Sequence, residues 1–315
     1  MKIIYFGTPP FAAEVLKFLI QNGIEVLAIV TKPDRPRGRS GKPAFSAVKE
    51  LRGATYPDIP LYQPDKASTP AFEEELRKYG ADLFVVVAYG EIMKDHLLTL
   101  PKEGCINLHA SLLPKYRGAA PIQFALLDGA KETGVTIIEM VLKMDAGDIL
   151  AQEKIPLPKE MNFAELEEKL CVLGGKTLLR VIQNLANHRV QKKPQNPQDA
   201  TYVQKIDPSL AEIDWNQPAE GVHNQIRAFS PRPGAWTEVE IGGQIKRLKI
   251  FKSQVVDKQG EIGSPLSFTK NEWVIGCQKG GLSLLEVQLE GKKRLPIAEF
   301  LLPFGVPIKL LNYSC

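Results

Sequence analysis

Four histidines, at 96, 109, 188 and 223, are all the imidazole in this 315-residue chain. One of them stands in company. His109 ends the short run Cys105-Ile106-Asn107-Leu108, so in a strand Asn107 and His109 project from one side and Leu108 from the other. A buried strand of an α/β sheet ordinarily finishes on apolar residues, and its carboxyl end is where open sheets place ligands. An amide and an imidazole together there offer a donor for a developing negative charge and a group that exchanges protons near neutrality. The same two residues could instead close a turn with ordinary hydrogen bonds, and the pattern leaves both readings open. Downstream, the alternating strand G-V-T-I-I-E-M (134–140) leads into K-M-D-A-G-D-I-L (143–150), which sets Asp145 and Asp148 in a glycine-containing loop. A carboxylate near His109 would hold its tautomer and stabilise the imidazolium. Either aspartate is also a turn former or cap, the reading preferred for Asp148.

The elements that must position these residues follow from hydrophobic pattern. Residues 2–6 read as a strand ending at Gly7. Thr8 is expected to cap, and Pro10 to start, a helix whose Phe11, Val15, Leu16 and Leu19 share a face until Gly23 stops it. I-E-V-L-A-I-V (24–30) is a second strand, and D-L-F-V-V-V-A-Y-G (82–90) is the continuous apolar run of a strand buried on both faces. With C-I-N-L-H at 105–109 and a long helical pattern at 163–187, the alternation predicts a doubly wound, Rossmann-like α/β domain over residues 1–188. Residues 189–206, rich in amides and holding two prolines, read as a linker. Residues 207–315 then turn to short β-runs at 235–241, 244–251, 260–268, 272–277 and 281–288. A two-residue Gly242-Gly243 hairpin joins the first two, and the set predicts a small closed or partly closed barrel.

Several chemistries lose their support. The first βα turn, F-G-T-P-P-F, has one glycine where a dinucleotide fingerprint needs three, and prolines where amide donors are wanted. Gly174-Gly175-Lys176-Thr177 imitates the end of a P-loop, but the required first glycine falls at Leu170, inside a helical pattern, so helix surface is expected. No G-x-S-x-G elbow is present. Four scattered cysteines argue against a disulfide framework or a zinc site, and no metal is expected. The longest apolar run, 83–89, is too short to span a bilayer, and the N-terminus lacks a signal-peptide core, so a cytosolic protein is expected. The formal charge of +4 says little when spread over the surface. It is not spread. Segment 32–42 holds Lys32, Arg35, Arg37, Arg39 and Lys42 against Asp34 alone, a sum equal to that of the whole chain. Its prolines and glycines predict a mobile loop without regular structure, which by itself reads equally as a solvated charge run.

The run N-L-H-x-S-L-L-P-x-x-R-G-A-A-P (Asn107 to Pro121), with G-V-T-I at 134–137 and D-A-G-D at 145–148, resembles the folate-dependent formyltransferases. The likeness extends to F-G-T-P-x-F-A at the start, T-K-P-D-R-P-x-G-R at 31–39, V-V-V-A-Y-G at 85–90, and I-D-W and I-R-A-F-S-P-x-P in the second half. It implies transfer of a formyl group from 10-formyltetrahydrofolate to the α-amino group of methionine on initiator methionyl-tRNA. It also implies a catalytic set of Asn107, His109 and Asp145. The folate is expected along Ser111, Leu112, Leu113 and Pro114, with its pterin near Ala88, Tyr89 and Gly90. Lys32, Arg35, Arg37, Arg39 and Lys42 would engage the acceptor arm of the tRNA. Residues 207–315 resemble the OB-like domain of the family, and a monomer is expected. A sugar-nucleotide formyltransferase shares this chemistry and can share both domains, but has less reason for a basic loop at 32–42. A catalytically dead tRNA-binding module would have no need of the intact Asn107, His109 and Asp145.

Overall fold

A computed structural model describes residues 1–36, 43–304 and 308–311 of the chain. They divide into two compact units. The first takes in residues 1–121, 132–155 and 167–204, and the second residues 122–131, 156–166 and the chain from 205 onward.

The first unit is built on seven strands: β1 (Lys2–Gly7), β2 (Glu25–Val30), β3 (Leu61–Tyr62), β4 (Leu83–Val87), β5 (Cys105–His109), β6 (Glu132–Glu139) and β7 (Ile149–Pro156). Their order across the sheet is β7-β6-β5-β4-β1-β2-β3. β1 runs parallel to both β2 and β4, and β4 parallel to β5, whereas β6 is antiparallel to β5. The chain therefore runs outward from β1 to β3, then crosses to the other side for β4 and β5. That reversal is a topological switch point, and ligand clefts form outside the carboxyl ends of strands at such points. Register aligns the relevant ends: Gly7 opposes Val87, Val86 opposes Asn107, and His109 opposes Thr136 on β6.

The helices of this unit begin with α1 (Pro10–Gln21), which buries Phe11, Val15, Leu16 and Leu19 as the spacing predicts. Thr8 is not its cap. Pro9 takes the N-cap position, one residue nearer the helix, and the Thr8 hydroxyl instead donates to the Tyr89 carbonyl at 3.1 Å. That bond ties the end of β1 to the loop after β4. Helices α2 (Ala47–Thr55), α3 (Pro70–Arg77) and α4 (Asp95–Leu98) follow, the first two capped by Ser46 and Thr69 side chains. Helix α5 (Pro121–Leu127) falls almost wholly in the second unit, and the long α6 (Phe163–Ala186) belongs to the first from Glu167 onward. Residues 174–177 lie within α6 but do not form helix surface: Gly174, Gly175 and Thr177 are buried and only Lys176 is exposed. A Cβ at Gly174 would come within 2.8 Å of Leu108, so glycine lets α6 press onto β5 on the face opposite Asn107 and His109. Residues in the 189–206 segment add to the edges of this unit. Lys193 bridges Ile149 on β7, and Tyr202–Val203 pairs in parallel with Arg117–Gly118.

The second unit holds an antiparallel sheet of β8 (Ala235–Ile241), β9 (Gln244–Val256), β10 (Pro265–Phe268), β11 (Trp273–Gly276), β12 (Gly281–Leu289), β13 (Arg294–Pro296) and β14 (Lys309–Leu310). Its order is β10-β11-β12-β9-β8-β14, with β13 added to β12. The hairpin closes through Gly242-Gly243, with Ile241 opposite Gln244. Register shifts in β9 around Lys252 bend the long strand and curl the sheet into a half-barrel. Helix α7 (Ala219–Phe229) fills it, and Val222, Ile226 and Phe229 join Trp215 and Trp273 in one core. His223 is a satisfied core histidine here, bonded to Ser253 Oγ and to the Lys159 carbonyl, each at 3.0 Å. Among the described residues, no helix is long and apolar enough to cross a membrane, no cluster of three metal-ligating side chains is present, and Cys105, Cys171 and Cys277 are free thiols.

Candidate functional site at the ends of β4 and β5

Tertiary structure brings Asn107, His109 and Asp145 to one place in the first unit. His109 ends β5, and its Nε2 lies 2.9 Å from the Tyr116 carbonyl. Its Nδ1 lies 3.7 Å from Asp145 Oδ2. The same Asp145 oxygen accepts the backbone N–H of Gly118 at 2.8 Å. Both side chains are largely shielded, at 6% exposure for His109 and 13% for Asp145, so their interaction is weakly screened. Asn107 projects from the same strand and is half-buried. Among the described residues its amide has no hydrogen-bond partner, which leaves its N–H groups free for an oxygen in the cleft. Asp148 offers no comparable contact. It holds the loop through its backbone carbonyl, which accepts the Glu139 N–H at 2.9 Å.

Sequence reasoning missed what holds Asp145. The residue sits at φ 51°, a left-handed conformation that side chains disfavour. Gln195 Nε2 donates to the carbonyls of Asp145 and Gly147 at 2.8 and 2.7 Å. Arg117 in turn donates to Gln195 Oε1 from Nε and Nη2, at 3.2 and 2.7 Å. Arg117-Gly118 stands in the R-G-A-A-P run, so its neighbourhood was marked. Nothing local marked Gln195.

Segment Ser111–Pro114 packs against β6 and β7. The Thr136 hydroxyl donates to the Ser111 carbonyl at 2.6 Å and accepts from the Leu113 N–H at 3.1 Å. Gln152 Nε2 donates to the Leu113 carbonyl at 2.8 Å. Ser111 spends its own hydroxyl on the Lys115 carbonyl, and Ser111 and Leu113 are buried while Leu112 and Pro114 are half-buried. In the loop after β4, Ala88 and Gly90 are exposed at positive φ. Between them the Tyr89 ring is core, packed edge-on against Phe6 with ring centroids 5.5 Å apart. Burial pushes the Tyr89 phenol well above its usual range, and among the described residues the hydroxyl has no hydrogen-bond partner. Apolar side chains next to these loops in sequence are exposed: Ile92 follows the 88–90 loop, and Val141, Leu142 and Met144 precede Asp145.

The basic segment differs from its expected form. Arg35–Pro36 pairs antiparallel with Pro43–Ala44, so its base is a short two-stranded ribbon rather than a loop without regular structure. Lys32 forms an ion pair with Glu91 and lies 4.9 Å over the Tyr89 ring, while Asp34 pairs with Lys49. Glu91 and Lys49, both outside the segment, carry opposite charges, so the two pairings together leave its net charge unchanged while Lys32 and Asp34 are each individually neutralised. Arg35 is exposed, and Arg37, Arg39 and Lys42 lie outside the described residues. In the second unit, Arg247 stacks on Trp236 at 3.7 Å, Lys249 donates to the Pro233 carbonyl at 2.6 Å, and Arg294 pairs with Glu286.

At the switch point of this largely parallel sheet, an amide, an imidazole and a carboxylate together offer the donor, the base and the counter-charge that transfer of an acyl group calls for. Residues 1–182 match the formyl transferase domain and residues 205–304 the formyl transferase C-terminal domain, and the chain belongs to that family. It is 49% identical to the methionyl-tRNA formyltransferase of Protochlamydia amoebophila over 94% of this chain and 92% of the relative. It is 40% identical to that of Geobacter sulfurreducens, over 96% and 94%. Two solved structures share the fold at lower identity. One is the N-formyltransferase from Helicobacter canadensis in complex with folinic acid and dTDP-3-aminofucose, with a TM-score of 0.66, 19% identity and coverage of 94% of this chain and 100% of that one. The other is HypX from Aquifex aeolicus in complex with tetrahydrofolic acid, with a TM-score of 0.64, 17% identity and coverage of 100% and 49%.

Proposed function

We propose that this chain transfers the formyl group of 10-formyltetrahydrofolate to the α-amino group of methionine on initiator methionyl-tRNA. One observation carries the reading: Asn107, whose amide has no partner among the described residues, projects from the same side of β5 as His109, which faces Asp145, in a chain 49% identical to a methionyl-tRNA formyltransferase over almost its whole length. Attack of the amine on the formyl carbon builds a tetrahedral centre with an oxyanion. In this reading the Asn107 N–H groups donate to that oxygen, an interaction that strengthens as charge develops. His109 Nδ1 takes the proton the amine loses, and Asp145 balances the imidazolium. The proton passes to N10 of the folate as the carbon–nitrogen bond breaks, so the ring returns to its neutral form. The half-buried Leu112 and Pro114 and the exposed Ala88 and Gly90 suit a flat heterocycle in a mostly apolar cleft. In this reading Arg35, Arg37, Arg39 and Lys42 face the tRNA, Lys32 acts from its pair with Glu91, no metal takes part, and the enzyme works as a cytosolic monomer.

The deciding experiment is formylation of methionyl initiator tRNA with 10-formyltetrahydrofolate, in competition with elongator methionyl-tRNA and an aminosugar nucleotide. Preference for the initiator tRNA is expected. Activity only on the sugar nucleotide would overturn the acceptor.

A further inference from the structure

Gln195 lies 50 residues from Asp145 in the chain, yet commits its whole side-chain amide to the Asp145 loop and to Arg117. Both donor contacts end on carbonyls of that loop, Asp145 at 2.8 Å and Gly147 at 2.7 Å. Its oxygen accepts twice from Arg117, and Arg117 Nη1 donates onward to the Tyr202 hydroxyl at 3.3 Å. The next residue in the chain, Gly118, gives its N–H to the Asp145 carboxylate. These contacts close a ring that leaves Asp145 by its carboxylate, passes through Gly118, Arg117 and Gln195, and returns to its carbonyl. The aspartate is held at both ends.

Two features of the ring exceed what stability alone asks. Asp145 is kept at positive φ, a strained conformation that persists only where the surroundings impose it. Arg117 is 2% exposed and, among the described residues, forms no ion pair, so its charge is buried against neutral partners. Burying a cation that way is expensive compared with an apolar contact of the same size. Both costs are met at the one loop whose carboxylate faces His109.

We propose that Gln195, backed by Arg117, is a positioning residue that sets the distance and direction at which the Asp145 carboxylate faces His109. The proposal rests on the reading in which Asp145 balances the charge of His109. Gln195 itself does not touch substrate.

Steady-state formyl transfer by the full-length protein tests it in wild type, Q195E, Q195A, D145N and Q195A/D145N. Q195E keeps the size of the side chain and still accepts from Arg117, but has no donor for the two carbonyls, so it separates positioning from folding. In Q195E and Q195A, kcat is expected to fall about ten- to a hundred-fold. KM for both substrates should stay within about two-fold, and Q195A should add no more than about two-fold to the loss in D145N, because residues acting as a unit are not additive. A folded Q195E with wild-type kcat beside a slow D145N overturns the proposal, as do losses from Q195A and D145N that multiply. Wild-type turnover in D145N would instead remove the role of Asp145, and with it the basis of the proposal. Should Q195A fail to fold, Q195E with an unchanged melting temperature decides the question alone.

Discussion

His109 faces Asp145 across 3.7 Å from Nδ1 to Oδ2, while its other ring nitrogen reaches the Tyr116 carbonyl at 2.9 Å. A carbonyl only accepts, so Nε2 carries the hydrogen, and in the neutral ring Nδ1 turns a lone pair toward the carboxylate. The gap is too long for a hydrogen bond, yet short enough to attract the ring strongly once it is charged. Asp145 differs here from a partner that merely fixes the tautomer, since the Tyr116 carbonyl already does that.

Removing either member of the pair should slow formyl transfer without dismantling the site. D145N keeps an oxygen for the Gly118 N–H but loses the charge, and H109A loses the proton acceptor. Each should lower kcat by about 10²- to 10⁴-fold, with KM little changed. The double variant should be hardly slower than the worse single one. Single-turnover formylation measures this, and independent, multiplying losses would contradict the pairing.

Asn107 makes a cleaner test of oxyanion stabilisation, because no described partner loses a bond when its amide is removed. N107A should lower kcat by about 10²- to 10³-fold, equivalent to about 3–4 kcal/mol of transition-state stabilisation. Its melting temperature should match that of wild type. A melting temperature that falls with the rate would indicate a structural role for the amide.

Gly118 joins the site to the 202–203 strand at a point where no side chain fits. Its φ is 121°, and a Cβ would stand 2.1 Å from the Val203 carbonyl oxygen. G118A should therefore lose at least about 2 kcal/mol of stability and loosen the N–H contact to Asp145. Urea unfolding reads the first effect and kcat the second. An unchanged midpoint would mean that the two short strands separate at little cost.

The basic segment predicts unequal contributions to tRNA binding. Lys32 already faces Glu91, whereas Arg35 is exposed and, among the described residues, makes no ion pair. In a salt titration, R35A should flatten the log–log slope of binding by about one unit, and K32A by clearly less. Equal changes would show that Glu91 releases Lys32 when tRNA binds.

Acid should weaken the first unit through Asp82. Its carboxylate accepts the Lys2 backbone N–H at 2.8 Å and pairs with Lys102 at 2.9 Å, and these two contacts, in that order, hold its pKa below the ordinary 3.8. A carboxyl depressed in the folded state stabilises above its unfolded pKa, and that contribution is lost as pH falls through the folded value. Wild type should therefore lose stability below about pH 4, by less than about 1 kcal/mol for so accessible a group. In D82N that part of the loss should vanish, as unfolding curves at pH 7 and pH 3 would show. An identical acid sensitivity in D82N would assign the loss to other carboxylates.

Much of the fold was legible because it depends on neighbours in sequence. The spacing of Phe11, Val15, Leu16 and Leu19 determines α1, the apolar run 83–87 determines a strand buried on both faces, and Gly242-Gly243 determines a hairpin. Asn107 and His109 were legible for the same reason, since alternation along one strand puts both on one side. The cap failed at Thr8 because Pro9 lies between it and the helix, and the 32–42 segment failed because its base pairs with residues beyond its end.

What sequence alone determined, then, are the elements and the chemical types at their ends, which follow from periodicities of two and 3.6 residues. Only tertiary structure set the Asp145 carboxylate beside His109, put the Tyr89 ring in the core, matched Lys32 with Glu91, and brought Gln195 behind Asp145. Each of those is a contact between distant segments. Its existence depends on the strand order and on which backbone groups the fold leaves unpaired, and no local pattern of residues carries that information.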